Sequence, residues 1–314
     1  MSCINKNAPF EFKEIKALKH TVLDIGELNA VYPYRITIID SIMYIMDLHG
    51  GNNIFFHAYS YPSLKSISSF GRKGNGPTEM NRASTIVNHN DSLFIYDGAL
   101  SKVVTPFFSN DSITDLTVVD KKKEYPNSLD FAVIGNKNYI FEDMTGQNRL
   151  IQVSEKGVYN LFAIPGEDNQ YLKDKYIGYL WRAFIDYSPK LNKIVAATQN
   201  GQAIEIYDLN TSKSLVAIGK DGVPRYEKEG SMGSYLEGFC DVKWIDNKIY
   251  ALYSGRTMAE LTKYLDGTGE QLPNGGNIIY VFDENGKPIV QYNLDKFIDG
   301  FCFDKNSNCI IGIS

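Results

Sequence analysis

The feature of the sequence that most constrains its fold is a hairpin pattern that recurs six times. Each copy has a short apolar run, a turn rich in Asp, Asn, Ser and Gly, and a second, often aromatic run. The copies occupy residues 35–47, 84–97, 131–143, 183–197, 240–253 and 300–313. Apolar runs of this length on either side of a polar turn are typical of β-hairpins. Because the copies extend along the whole chain, the sequence predicts a repeat architecture built from strands.

A second pair of β-like runs lies between successive hairpins, for example at residues 53–70, 203–218 and 277–292. Four strands in a repeat of about 45 to 60 residues are the pattern of a propeller blade. We therefore predict an all-β, six-bladed β-propeller with four-stranded antiparallel blades. The sixth copy has one hairpin only, so the runs at residues 10–25 are predicted to complete it, and N- and C-terminal strands would close the last blade. Residues 1–9 are expected to be a flexible lead-in, and residues 10–314 a single domain.

A glycine-rich corner, Phe-Gly-Arg-Lys-Gly-Asn-Gly-Pro, follows the first repeat at residues 70–77, and a weaker form follows the fourth at residues 218–224. Its glycines permit backbone conformations of positive φ, and its proline fixes the exit. The spacing differs from that of a phosphate loop, and no helix is expected to follow. We interpret the segment as a structural corner between blades. The alternative is a nest of backbone amides that binds an anion with help from Arg72 and Lys73.

Together with the six-fold hairpin pattern, this corner resembles the TolB-like six-bladed propeller family found in envelope proteins of Bacteroides-type bacteria. The resemblance covers nearly the whole chain. Corners of that family often continue with Gly-Glu-Phe, whereas this chain has Thr78, Glu79 and Met80. The resemblance implies the fold and a location in the cell envelope. It implies no catalytic residues.

Composition narrows the functional classes. A formal net charge of −5 argues against nucleic acid as a partner, because such proteins need a basic surface. The N-terminal Ser2-Cys3 resembles the site at which a bacterial lipoprotein is cleaved and acylated, so we expect a cell-envelope protein that meets the membrane only through a lipid anchor at Cys3. The alternative is an ordinary cytoplasmic start. Cys302 and Cys309 face each other across a predicted turn, either as a disulfide or, more commonly, as two buried thiols.

The sequence contains no hydrolase or metalloprotease motif and no calcium loop. No cofactor is therefore expected. A divalent ion such as calcium, held by scattered carboxylates as in lactonase propellers, is the alternative.

Charged residues recur where the inner strands begin, and they form our candidate ligand-binding set. Arg35, Arg82 and Arg182 begin three blades, and Asp130, Asp241 and Asp299 begin the others. They would form either a ligand-binding rim or a collar of mutual salt bridges, and we favour the collar. Trp181 beside Arg182 suits stacking on a sugar or a peptide ring, although packing between blades is the commoner role of such a residue.

Two long loops complete the candidate surface. The loop at residues 254–276 contains Arg256 and a stretch with helical character, and the loop at residues 220–237 contains Arg225 and Tyr235. Long insertions in compact folds are often functional. We predict a monomeric, non-catalytic binding or scaffold propeller whose loop-rich face recognises a peptide, glycan or protein. The alternative is a metal-dependent enzyme of the lactonase or lyase kind.

Overall fold

The computed structural model describes residues 8–26, 28–109, 112–145, 148–165, 174–224 and 236–314. Its regular structure is mostly β-strand, and it divides into two compact units. One unit comprises the described residues within Met1–His20, Glu142–Ile151 and Asn160–Ile298. The other comprises those within Thr21–Phe141, Gln152–Tyr159 and Asp299–Ser314.

After β1 (Ile15–Leu18), the strands form five sheets of four consecutive strands and one two-stranded hairpin. Sheet 1 contains β2 (Pro33–Ile39), β3 (Ile42–Asp47), β4 (Ile54–Ser60) and β5 (Ser66–Arg72). Sheet 2 contains β6 (Ala83–His89), β7 (Ser92–Asp97), β8 (Lys102–Ser109) and β9 (Ser112–Lys121). Sheet 3 contains β10 (Phe131–Gly135), β11 (Asn138–Glu142), β12 (Leu150–Ser154) and β13 (Gly157–Leu161).

Helix α1 (Asp174–Leu180) precedes sheet 4, which contains β14 (Ala183–Ser188), β15 (Lys193–Thr198), β16 (Ala203–Asp208) and β17 (Lys213–Ile218). Sheet 5 contains β18 (Leu236–Ile245), β19 (Lys248–Thr257), β20 (Gly276–Phe282) and β21 (Pro288–Ile298), with α2 (Met258–Thr268) between β19 and β20. The last hairpin contains β22 (Gly300–Asp304) and β23 (Cys309–Ile313). The four-stranded antiparallel sheets are the blades of an all-β propeller fold, as predicted.

The predicted hairpin turns are confirmed. Ile39 pairs with Ile42, and Asp40 between them has a φ of 53°. Ile245 pairs with Lys248 across a two-residue turn whose two residues also have positive φ. Asp and Asn tolerate this left-handed conformation, which two-residue hairpin turns require. The sequence therefore specifies these hairpins locally.

Part of the core lies between sheets 1 and 2. Met46 and Phe56 of sheet 1 pack with Ile95 and Val104 of sheet 2, and all four side chains are fully buried. Burying a side chain of this size contributes about 1.5–3 kcal/mol to folding. The outer strands are more exposed than the inner ones, as in β9 and β13. This difference explains why the inner strands have nearly continuous apolar sequences.

The N-terminal segment lies elsewhere than predicted. Strand β1 pairs in parallel with β21, so it adds a fifth strand to the edge of sheet 5 and does not complete the last hairpin. The ring of Phe12 stacks on Tyr280 at 4.9 Å, and Phe10 packs edge-on against Phe282 at 5.1 Å. The prediction that N-terminal strands close the last blade is therefore wrong for the described residues. These aromatic contacts and the open edge of β21 explain the placement.

The last hairpin packs beside sheet 1. Side chains of Cys302 and Ile311 share a core cluster with Ile36 and Ile45 of sheet 1. The predicted turn after β22 is confirmed, but Cys302 pairs with Ile311 and not with Cys309. The two sulfur atoms do not form a disulfide, and Cys309 is exposed, so only Cys302 is the buried thiol we expected.

Neither α-helix in the described ranges is long and apolar enough to span a bilayer, since α2, the longer of the two, has 11 residues.

Candidate binding surface

Buried aspartates end the inner hairpins of the first three sheets. Asp47, Asp97 and Asp143 are each at most 1% exposed. Each carboxylate accepts hydrogen bonds from backbone amides of the loop that follows, as when Thr145 and Asn148 donate to Asp143 at 2.7 and 3.0 Å. The recurring aspartate at the end of the second strand is a signal that sequence reasoning left unused. It marks loops whose backbone amides donate hydrogen bonds to a buried aspartate.

Asp47 shows this bracing most fully. Its Oδ2 accepts from the amides of Val31 and Tyr32 at 2.6 and 3.0 Å, and its Oδ1 accepts from those of His49 and Gly51, both at 3.0 Å. Burial by itself would raise the pKa of this carboxyl, but the four backbone donors outweigh burial and lower the pKa. The Asp47 carboxylate therefore fixes the loop after β3 and the segment before β2.

The glycine-rich corner holds an anion that belongs to the chain itself. The amide of Gly76 donates to Glu79 Oε2 at 2.8 Å. A side chain at Gly74 would overlap the same carboxylate. The corner is closed further by the Gly74 amide, which donates to the Met80 carbonyl at 2.8 Å. This geometry supports the interpretation as a structural corner, because Glu79 occupies the place where an external anion would sit.

The cations around the corner also have partners within the chain. The buried Lys102 Nζ donates to the carbonyls of Pro77, at 2.9 Å, and Glu79. Burial lowers the pKa of this ammonium group. Lys73 Nζ donates to the His49 carbonyl at 3.2 Å. Arg72, at the end of β5, is exposed. Both cations predicted at this corner, Arg72 and Lys73, are exposed, and Lys73 contacts the chain through the His49 carbonyl.

The structure brings two of the predicted rim residues together. Arg35 is 2% exposed, and its Nη1 donates to the backbone carbonyl of Asp299 at 2.9 Å. The guanidinium also lies over the ring of Tyr34, 3.8 Å from its centre. Arg82 is exposed and its Nη2 contacts Asn127 Oδ1. Arg35 therefore joins sheet 1 to the last hairpin, whereas Arg82 lies at the surface.

The other predicted aspartates are buried at strand entries. Asp130 Oδ1 accepts a backbone amide at 2.9 Å. Asp241 Oδ1 accepts from Lys243 Nζ at 3.0 Å. Arg225 and Tyr235 lie outside the described residues. A ligand-binding role for any of these residues stays a prediction.

Trp181 is not the exposed stacking platform that the first of our two interpretations required. It is 1% exposed and packs with Ala203 and Val216 of sheet 4, because its position after α1 turns the indole into the core. Arg182 is half-buried, and its guanidinium lies 4.6 Å from the ring centre of Tyr179 and donates to its hydroxyl at 2.9 Å. Trp181 thus packs against sheet 4, and Arg182 contacts Tyr179 of α1.

Arg256 anchors the insert, which we define as residues 257–275 between β19 and β20. Its Nη1 donates to the carbonyl of Pro273 at 2.6 Å, and its Nη2 to that of Gly275 at 2.9 Å. Its Nε donates to Glu237 Oε2 at 3.1 Å, and its guanidinium lies over the ring of Phe297. The planar group therefore joins the end of the insert to β18, β19 and β21, a task that suits arginine better than lysine.

Helix α2 inside the insert is capped at both ends. Thr257 and Glu260 form a reciprocal capping box, with bonds of 2.8 and 3.2 Å between side chains and backbone amides. The amide and the hydroxyl of Thr257 both donate to Glu260 Oε2, and these two bonds lower the pKa of the Glu260 carboxyl. Gly269 ends the helix with a φ of 74°, and its amide donates to the Leu265 carbonyl at 2.7 Å. Such caps each stabilise a short helix by about 1 kcal/mol. The prediction of helical turns in this loop is confirmed.

Although α2 is well capped, none of its residues is buried. Met258, Tyr264 and Leu265 are 49%, 37% and 42% exposed, and Leu261 is half-buried. Single exposed apolar residues are ordinary, but several on one helix form a patch.

A fully buried charge cluster in the first unit was missed by sequence reasoning. Arg149 Nε and Nη2 donate to the two carboxylate oxygens of Glu205, both at 2.8 Å, and Nη1 lies 3.8 Å from Glu142 Oε1. The Tyr207 hydroxyl donates to Glu205, and burial raises the pKa of that phenol far above its usual value. The available signal was Glu205, a charge inside the apolar run of β16. All polar groups here are sealed from solvent, so the cluster is structural.

Within the described ranges, no group of three or more His, Cys, Asp or Glu side chains is arranged to hold a metal ion. The carboxylates described above instead bind backbone amides, hydroxyls, lysines or arginines of the chain itself. The described surface therefore offers loops held by internal hydrogen bonds and the exposed helix α2.

Comparisons with known proteins agree on the fold and vary in function. Two auxiliary nutrient binding proteins are similar in structure, one from Bacteroides ovatus (10% identity, 89% of this chain, 66% of that chain, TM-score 0.52) and one from Bacteroides thetaiotaomicron (10%, 90%, 66%, 0.50). Hydrazine synthase from Kuenenia stuttgartiensis also matches, at 10% identity over 90% of this chain and 74% of that chain, with a TM-score of 0.50. These likenesses concern the fold alone.

No curated protein matches the sequence. The family model described as "TolB-like 6-blade propeller-like" matches residues 11–306, which is nearly the whole chain. The chain therefore belongs to the TolB-like 6-blade propeller-like family.

Proposed function

We propose that this protein is a non-catalytic binding or scaffold propeller that recognises a macromolecular partner through its loop-rich surface. The observation that carries the proposal is the insert at residues 257–275. Arg256 ties its end to the sheet, and caps fix its helix, yet no residue of α2 is buried. A segment held so firmly without contributing to the core is suited to contact another molecule.

The fate of the charged groups supports binding over catalysis. Catalytic carboxylates need access to a substrate, whereas Asp47 and Asp143 are used by loop amides and Glu79 by the glycine-rich corner. The two nutrient binding proteins of similar structure provide a precedent for a binding role on this fold. Their similarity does not indicate which ligand this chain binds.

We further propose that the protein is a monomer of the bacterial cell envelope, anchored by a lipid on Cys3. The sequence around Cys3 and the family resemblance support this location. We also propose six blades in one domain over residues 10–314, with the hairpin of β22 and β23 as the sixth. The family description and the packing of that hairpin beside sheet 1 support the count.

The test separates binding from turnover. The purified chain is offered to glycan, peptide and protein arrays, and it is incubated with a panel of lactones with calcium and with EDTA. The proposal expects saturable binding to one class of ligand and no hydrolysis above the buffer rate. Lactone hydrolysis that calcium restores after EDTA treatment would overturn it.

The anchor is tested separately by labelling cells with a radioactive fatty acid. The native protein should incorporate the label, and Cys3→Ala should not. Labelling of neither would contradict the lipid anchor while leaving the binding role in place.

A further inference from the structure

The apolar side chains of α2 form one stripe along the helix. Met258, Leu261 and Leu265 follow the i, i+3, i+7 spacing, so they lie on one face, with Tyr264 beside them. Three of the four are more than a third exposed. This is the spacing with which amphipathic helices enter grooves on other proteins.

The charges of α2 are arranged around that stripe. At about 100° per residue, Glu260 and Asp266 flank the stripe on its two sides, and Lys263 lies on the opposite face. Glu270 follows the helix cap Gly269, so the insert has three carboxylates and one ammonium group. An apolar stripe bordered by negative charge complements an apolar groove bordered by positive charge. It does not suit an anionic bilayer, which attracts helices rich in Lys and Arg.

The helix is also prepared for binding before it meets a partner. The capping box of Thr257 and Glu260, the Gly269 cap and the anchor at Arg256 fix its conformation. A segment that is already ordered loses little conformational entropy when it binds. Flexible tips, by contrast, lose that entropy at the moment of association.

We infer that α2 is the docking element of this protein and that its partner is a protein with an apolar groove edged by Lys and Arg side chains. The inference rests on the proposed binding role, and it names the surface and the chemistry of the partner. The stripe of Met258, Leu261 and Leu265 enters the groove, and Glu260 and Asp266 meet its basic edges.

The test begins with the full-length protein in the cells that produce it. A photo-crosslinking benzoylphenylalanine replaces Leu265 in the stripe, Lys263 on the opposite face or Lys220 on the neighbouring loop. Lys220 is 79% exposed. The inference expects one discrete protein adduct from position 265 and none from position 263. An adduct of twice the mass of this chain, or a lipid adduct, would overturn it in favour of self-association or of membrane contact.

The captured protein is then purified, and its dissociation constant is measured for matched variants. Leu265→Glu adds one negative charge to the stripe, and Gly267→Glu adds the same charge on the opposite face. Gly267 has open space around the position of a side chain. We expect Leu265→Glu to weaken binding at least about tenfold and Gly267→Glu to have little effect. Equal effects of the two variants would contradict docking through the stripe.

The electrostatic part is tested by Asp266→Lys and by salt. Both should weaken binding several-fold, since they remove or screen the attraction to basic groove edges. Unchanged affinity in both experiments would overturn the predicted chemistry of the groove.

The crosslinking experiment also separates this inference from the proposed binding role. An adduct from position 220 without one from position 265 would remove α2 as the site but keep the binding role. The absence of adducts from both positions would contradict the docking role of α2 and the proposed binding function.

Discussion

The glycine-rich corner at residues 70–80 and the insert at residues 257–275 are both exceptional loops, and they use their side chains in opposite ways. In the corner, Glu79 turns inward to the amide of Gly76, and Lys102 binds the carbonyls around it. In the insert, Arg256 fixes the base of the loop, and the apolar side chains of α2 face solvent. The polar groups of the first loop are hydrogen-bonded within the chain. The second loop keeps apolar side chains exposed on a helix that is held in place.

The comparison teaches that an unusual loop sequence does not by itself mark a site. The corner has the composition of an anion site, but its anion is supplied by the chain. The insert has no recognisable motif, yet it leaves a patterned surface uncovered. What separates them is whether the conspicuous groups find partners within the chain.

The largest effect should come from a loop that differs from both, the one after β3 that the buried Asp47 holds. Asp47→Ala leaves four backbone donors without their acceptor, so we expect a loss of about 3 kcal/mol in the free energy of unfolding. Urea unfolding measures it. The control is Asp208→Ala, which removes the acceptor of two backbone amides at an exposed turn and should cost under about 1 kcal/mol. A similar loss in the free energy of unfolding for Asp47→Ala and Asp208→Ala would contradict the claim that burial makes the Asp47 hydrogen bonds more important for stability.

The same carboxylate predicts part of the response to acid. Because the folded pKa of Asp47 is lowered, its contribution to stability is complete above its unfolded pKa of about 3.9 and is lost as the pH falls through the folded value. The stability difference between the native chain and Asp47→Asn should therefore shrink in that range. A difference that stays constant down to the folded pKa would contradict the assignment.

Arg256→Lys should loosen the insert without disturbing the corner. Lysine keeps the charge but is unable to bind the carbonyls of Pro273 and Gly275 and the Glu237 carboxylate in one plane. We expect a loss of about 1–2 kcal/mol. Hydrogen exchange should accelerate at residues 257–275, with Lys263→Gln as the control. Protection that is unchanged would show that the caps alone hold the insert.

Glu79→Ala should empty the corner and turn it into an anion site. We expect a loss of about 1 kcal/mol, because the amide of Gly76 loses its acceptor. Inorganic phosphate should then raise the melting temperature of the variant more than that of the native chain. Glu155→Ala, at an exposed position, is the control. A variant that is indifferent to phosphate would mean that the corner's amides cannot hold an anion.

Much of the fold was predictable because its determinants are local. Asp40 and the pair at residues 246–247 mark two-residue turns, and the apolar runs around them indicate strands. The placement of β1 was not predictable, since a short run of alternating residues pairs equally well with any open sheet edge. The contacts of Phe10 and Phe12 with Tyr280 and Phe282 decide it, and they are far apart in sequence.

The candidate surface was only partly predictable. The insert was identifiable by its length and helical residues. The inward position of Trp181 and the Arg149–Glu205 pair depend on tertiary packing that no spacing encodes. Charged residues at strand entries were visible, but whether each charge faces a ligand or a backbone amide is set by the surrounding fold.

The central claim is that the apolar stripe of α2 is kept for a partner and is not part of the core. Urea unfolding of Leu265→Glu beside Gly267→Glu tests this most directly. We predict that Leu265→Glu unfolds within about 0.5 kcal/mol of the native chain, as exposed substitutions do, and that Gly267→Glu is at least as stable as the native chain, because it removes a glycine from the helix. A loss of about 2 kcal/mol or more in Leu265→Glu alone would contradict the claim, because it would mean that the stripe packs within the protein.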